Sequence, residues 1–396
     1  MILCHFGETT KTALRRNIFP QRTVSVADEY RAVAVRESFH AKTLLKDGVT
    51  RPDQSHFAIM LPVGRYRARF QAVGPIRLPA YAGSAWRGAF GHALKRAVCV
   101  THVPACCDCL LYRSCGYAYV FETPLPPGTE KMRKYPAAPH PFVLDVDLKG
   151  GECAAGSPYD LGFTLIGRGN QYLPYIILAL QRAGEEGIGA ARGRFELGCV
   201  EQQDAPDRVW RVIYEPGGRC EASPPGIPIL PAVPGCLTVT LDTPLRLRRD
   251  ATIVNAGSFS FTAFFSNLLR RISMLSYFHT DTPLETDFAA LVGASRDVPV
   301  HDPALRWFDW TRYSSRQKRE MALGGLLGTF RLEGAGLDPF WPYLWLGQYV
   351  HAGAVTTMGL GRYRLITAAS LPVGTAEAER AIISAQEGDG GRAAGR

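Results

Sequence analysis

The feature that most constrains this chain is that its two halves repeat one another. Pro174-Tyr175, Leu178, Gly193-Arg194-Phe195 and Leu197 recur as Pro342-Tyr343, Leu346, Gly361-Arg362-Tyr363 and Leu365 at one ungapped offset of 168. Gly83-Ser84, Ala89-Phe90, Leu94 and Arg96 recur as Gly257-Ser258, Ala263-Phe264, Leu268 and Arg270 at an offset of 174. Offsets that differ only by loop length are what a duplicated domain leaves behind.

Hydrophobic periodicity gives both copies the same order of elements. In the first, residues 65–73 alternate as a strand and residues 84–98 carry a helical stripe of Trp86, Phe90, Ala93, Leu94 and Ala97. Residues 117–121 and 163–167 read as the next two strands, with 142–146 competing for the second. A helix over 172–183, with Pro174 in its first turn, and a strand over 194–200 complete the copy. The second copy reads as a strand over 236–247, a long helix over 258–277, strands over 307–313 and 323–332, a helix capped by Asp338 and running to Val350, and a strand over 361–366. Each half is thus βαββαβ, and the expected class is α+β: tandem ferredoxin-like domains with a cysteine-rich, metal-binding insertion in the first.

The expected boundaries are domain 1 over 57–215 with its insertion at 99–115, a linker at 216–235, and domain 2 over 236–371 with a glycine-rich loop. Residues 1–56 form an extension whose mixed patches point to partial disorder, and 372–396 a flexible tail with nothing to pack. No apolar run approaches the roughly 18 residues that span a bilayer, so no membrane partner is expected. Lys11, Arg15 and Arg16 are not followed by the apolar stretch of an export signal, which points to the cytoplasm.

There, clustered cysteines are metal ligands or reactive thiols more often than disulfides. Cys99, Cys106, Cys109 and Cys115 close within 17 residues. Four soft ligands in one loop suit a structural zinc ion, with an iron–sulfur cluster as the alternative and unligated thiols as the plainer reading.

The balance of 45 Lys+Arg against 36 Asp+Glu, +9 in all, suits a polyanionic partner. Residues 306–319 interleave Trp307, Phe308, Trp310 and Tyr313 with Arg306, Arg312, Arg316 and Arg319, a pattern that can stack bases and pair phosphates, or place tryptophans in a core and arginines in solvent. Gly353, five residues, then Gly359-Leu360-Gly361-Arg362 can bring backbone amides and a charge to a phosphate, or simply turn a helix into a strand. The loop precedes a strand, so it is no dinucleotide fingerprint. His92, His279 and His351 stand out by location, and Asp145 and Asp147 share one face of a strand. No Walker-type loop or acidic cluster supports nucleotide hydrolysis or a nuclease metal pair.

Several of these motifs together resemble the CRISPR-associated RAMP endoribonucleases that cut precursor CRISPR RNA. The resemblance covers residues 57–371 and rests on the run from Leu78 through Trp86-Arg87-Gly88 to Gly91, the cysteine block with Phe121-Glu122 after it, Arg312-Tyr313-Ser314-Ser315-Arg316-Gln317, and the terminal glycine motif. That motif departs from the family pattern in carrying His351 where a glycine usually opens it. The resemblance implies cleavage within repeat RNA without a catalytic metal, by the RNA's own 2′-OH, leaving a 2′,3′-cyclic phosphate. A non-catalytic RAMP subunit that holds guide RNA within an effector complex is the alternative, with the complex's other subunits as partners. The expected catalytic residues are His351 as base, His279, Tyr313 and Arg312. The expected RNA-binding residues are Arg87, Arg316, Gly353, Gly359, Gly361 and Arg362, and the metal ligands are the four cysteines.

Overall fold

Alternation along the first strand sets up the first half. In β1 (Val63–Ala72), Tyr66, Ala68, Phe70 and Ala72 are buried while Arg65, Arg67 and Arg69 project from the other face. The buried row meets α1 (Gly83–Val98), whose Trp86, Phe90, Ala93 and Leu94 lie on one side of the helix. The half continues through β2 (Phe142–Asp145), β3 (Pro158–Ile166), α2 (Leu173–Glu186), β4 (Phe195–Gln203) and β5 (Trp210–Tyr214). The strands pair antiparallel in the order β2-β3-β1-β4-β5. The computed structural model describes residues 59–367 except 130, 132–136, 149, 190, 205–207, 250–251, 315–318 and 335. The proposed extension and tail lie outside these residues.

The second half contains β6 (Cys236–Leu245), α3 (Phe261–His279), β7 (His301–Phe308), β8 (Gly325–Glu333), α4 (Trp341–Val350) and β9 (Tyr363–Thr367). Its sheet is antiparallel in the order β7-β8-β6-β9. Both halves therefore place their strands as 2-3-1-4, with β5 added at one edge of the first. The chain is an α+β protein with two antiparallel sheets, an arrangement consistent with tandem ferredoxin-like domains. The starts of α2 and α4, and of β4 and β9, are each separated by 168 residues, the spacing of the sequence repeat.

Two local expectations are corrected. Residues 117–121 are not a strand: Ala118–Glu122 is a π-helical turn, closed by the Thr123 amide donating to the Ala118 carbonyl, with Thr123 in the left-handed region. The competing segment 142–146 supplies the strand instead, as β2. Asp338 does not cap α4, which follows Phe340 without a side-chain cap and carries Pro342 in its first turn. By contrast, Ser260 caps α3 by accepting from the Ala263 amide at 3.2 Å.

The two cores exchange side chains. Trp310, Leu323, Met358 and Leu360 of the second half pack into the first core, while Ile59, Leu61, Val63 and Ile166 pack into the second. Trp310, edge-on to Tyr81 at 4.9 Å between centroids, is a core residue and not a stacking platform. This exchange fixes the glycine loop against α1.

Candidate functional site at the junction of the halves

After α4 the chain turns through His351, Gly353, Gly359 and Gly361, all at positive φ. A Cβ on Gly359 would lie 2.6 Å from the Tyr81 hydroxyl and 2.7 Å from the Leu144 carbonyl oxygen, so only glycine lets the loop approach the first half this closely. Tyr81 donates its hydroxyl to the Met358 carbonyl, and Arg87 donates Nε to Thr357 Oγ1 at 2.9 Å. The Gly359 amide donates to Thr356 and the Gly361 amide to Pro244. The Gly359 amide is therefore used within the turn and the Gly361 amide on β6, so both are already paired within the protein; Gly353 is half-buried.

His351 is fully enclosed. Its Nε2 lies 2.8 Å from Asp145 Oδ1 and its Nδ1 3.2 Å from the Leu360 carbonyl, so both ring nitrogens are occupied. Burial alone pushes the Asp145 carboxyl up, but the His351 hydrogen bond and the charges of His351, Arg65 and Arg362 outweigh it and hold the group below the usual carboxylate range. Arg362, expected on phosphate, is neutralised by protein: Nη2 reaches Asp147 at 2.6 Å and Nε lies 3.8 Å from Asp242. His351 and Arg362 thus latch the halves together, and neither ring nitrogen of the enclosed His351 is free.

His279, at the end of α3, is equally enclosed. It donates Nε2 to the Pro139 carbonyl at 2.7 Å and accepts at Nδ1 from Tyr119 at 2.9 Å. Burial, with Arg168 and Arg271 nearby and against the Pro139 bond, pushes it down to about 4, so it is neutral near pH 7. Beside it lies His140, which sequence reasoning passed over. Its Nδ1 is 2.7 Å from Thr123 Oγ1, and its ring stacks near Phe121 at 6.4 Å between centroids. The Arg87 guanidinium lies over that same Phe121 ring at 4.3 Å. Burial, then Arg87, Arg271 and His279, push His140 down to about 3.

Residues 239–363 match the family model described as CRISPR-associated endoribonuclease Cas6. That stretch of the chain is similar to the Cas6 family. Residues 61–225 match a second model, AF_1859_N, described as an N-terminal domain. Among solved structures, a Cas6 product complex is 15% identical with a TM-score of 0.48, covering 77% of this chain and 99% of that one. The Thermus thermophilus Cas6 is also 15% identical, with a TM-score of 0.44 and coverage of 77% and 99%. A Cas6-related protein from Pyrococcus furiosus is 10% identical, with a TM-score of 0.43 and coverage of 77% and 98%. No curated protein matches the sequence.

The open face of the first sheet carries Arg65, Arg67 and Arg69, with Arg67 over the Trp210 ring at 4.5 Å and Arg65 over Tyr349 at 5.5 Å. Glu201 pairs with Arg67 at 2.6 Å and with Arg69 at 3.2 Å, so part of this charge is already offset. Arg312 and Tyr313 lie on Thr311–Ser314, which pairs with Arg319–Ala322 as a hairpin. Their side chains, and all of Arg316, fall outside the described residues. Arg87 reaches from α1 to Thr357 of the glycine loop.

The four cysteines line one cavity of about 440 Å³ together with Tyr112, Tyr117 and Tyr172. Thr101 Oγ1 lies 3.1 Å from Cys109 Sγ, and the His102 amide favours the Cys99 thiolate. Among the described residues no three His, Cys, Asp or Glu side chains are gathered to hold a metal ion. The donors suit zinc, but this arrangement does not assemble them into a tetrahedron. Among the described residues no helix is long and apolar enough to cross a membrane.

Proposed function

We propose that this chain cleaves precursor CRISPR RNA within its repeats by attack of a ribose 2′-OH on the adjoining phosphate. The observation that carries the reading is the junction itself, where Arg87, Arg271, His140 and His279 converge beside Thr357 of the glycine loop. The reaction needs little more. A base takes the 2′-OH proton, the O2′–P bond forms as P–O5′ breaks, cations stabilise the crowded phosphate, and the leaving 5′-oxygen gains a proton. The nucleophile belongs to the substrate, so the protein's work is alignment and charge. Each half is read as a ferredoxin-like domain, which the shared 2-3-1-4 order supports.

The test is incubation of the purified protein with its cognate repeat RNA in EDTA, followed by analysis of the product ends. Cleavage to 2′,3′-cyclic phosphate supports the reading, and a requirement for divalent ions contradicts it. The enclosure of His351 and His279 favours a second reading, a non-catalytic RAMP subunit that holds guide RNA in an effector complex. RNA bound but uncut is its signature. In either case Arg87, with Arg312, Tyr313 and Arg316, is read as contacting RNA.

The cysteines are read as a structural site in which Cys99, Cys106, Cys109 and Cys115 hold one zinc ion, their loop closing on the metal. Elemental analysis should find close to one zinc per chain, and serine at Cys109 should remove it and loosen the insertion. Finding neither zinc nor iron in anaerobically purified protein contradicts the site.

A further inference from the structure

Arg271 is the least satisfied cation at the junction. It sits on α3, donates Nε to the Val350 carbonyl at 2.8 Å, and leaves Nη2 buried without a hydrogen-bond partner. Burial alone pushes its guanidinium down, with no carboxylate acting on it among the described residues. Enclosing such a charge without a counter-ion is costly, and an incoming anion relieves the cost. Arg271 and Arg87 both act on His140, and all three residues are half-buried, so their edges reach solvent.

The hydrogen bonds around His140 also set its tautomer. A hydroxyl has one proton, and that of Thr123 is directed back at the Tyr119 carbonyl, 3.1 Å away. Thr123 Oγ1 then accepts from His140 Nδ1–H at 2.7 Å, which leaves the Nε2 lone pair open. No partner of Nε2 exists among the described residues. The left-handed turn at Thr123 and the π-helical turn before it aim this hydroxyl at the imidazole.

We propose that Arg271 and Arg87 form the pocket for the scissile phosphodiester and that His140 Nε2 takes the proton from the attacking 2′-OH. The inference rests on the endoribonuclease reading and names its site. The 2′-OH proton moves to Nε2, O2′ bonds to phosphorus, P–O5′ breaks, and O5′ takes a proton from water. Burial, and after it the two arginines, hold the free imidazole neutral; the phosphate partly neutralises the arginines, which strengthens the base only when substrate is bound. Thr123 is a positioning residue, acting through His140.

The experiment compares full-length wild type, His140→Ala, His140→Gln and Arg271→Met on repeat RNA, measuring single-turnover cleavage and binding of an uncut RNA that carries a 2′-deoxy at the cleavage site. Both His140 variants should bind within about threefold of wild type and cut at least about 100-fold more slowly, the usual worth of a general base. Arg271→Met should bind at least about tenfold more weakly, with a shallower salt dependence. Glutamine keeps a polar side chain of similar reach at this position and guards against loss of folding in the alanine variant. If either His140 variant cuts at the wild-type rate, the base assignment is overturned; if Arg271→Met binds like wild type, so is the pocket. A wild type that binds without cutting defeats the endoribonuclease reading and the base together, and the pocket then stands or falls on Arg271→Met alone.

Discussion

Asp145→Ala should lower the stability of the folded protein by about 3–5 kcal/mol, read from denaturant unfolding, because it removes one partner of a buried pair and leaves the other behind. His351 is fully enclosed with its Nε2 2.8 Å from Asp145, so without the carboxylate that nitrogen is left buried with no partner at bonding distance. Arg65, 4.0 Å from the same carboxylate, and Arg362 lose its field as well. Asp145→Asn keeps an acceptor oxygen and should recover part of the loss. The sign of the pH dependence follows from the depressed folded-state pKa. Unfolded aspartate titrates near about 4, so the contribution is complete above that pH and is lost as pH falls below it. Wild type should therefore lose more stability than Asp145→Asn below about pH 4. Equal stability and equal acid slopes in the two proteins would show that the latch contributes nothing.

What the sequence made legible was the part of the fold that depends on local pattern. The 168-residue offset located the starts of α2 and α4 and of β4 and β9 because periodicity and turn residues act over a few positions. What local pattern does not carry is long-range. Arg362 reads as a phosphate ligand until Asp147, 215 residues earlier in the chain, is found against it. His351 reads as a free base until Asp145, 206 residues away, closes on it. Residues 117–121 alternate like a strand, yet Tyr119 and Phe121 serve a π-helical turn whose purpose is to meet His279 and His140. His140 itself lies between Pro139 and Pro141, outside any periodic stretch, and Arg271 occupies an ordinary polar position of a long helix. The flanking prolines were the only local sign that His140 is held in a fixed extended backbone. Sequence resemblance pointed toward a family, while the groups that line the junction emerge only when the two halves are packed.

The second large effect concerns the substrate. The account makes one ribose hydroxyl the nucleophile, so no arrangement of protein groups can substitute for it. Replacing that hydroxyl with hydrogen leaves the phosphates, the bases and the surface that meets Arg87 and Arg271 in place, so binding should change little. The most direct measurement is single-turnover cleavage, in EDTA, of repeat RNA carrying a single 2′-deoxy immediately 5′ of the scissile phosphate, beside the unmodified RNA. The account predicts a 2′,3′-cyclic phosphate from the unmodified strand and at least about a 1,000-fold loss of cleavage with the deoxy strand, since the bond-forming atom is gone. Cleavage of the deoxy strand at a comparable rate, or a 3′-hydroxyl end from the unmodified strand, would mean that water attacks instead and would contradict the account.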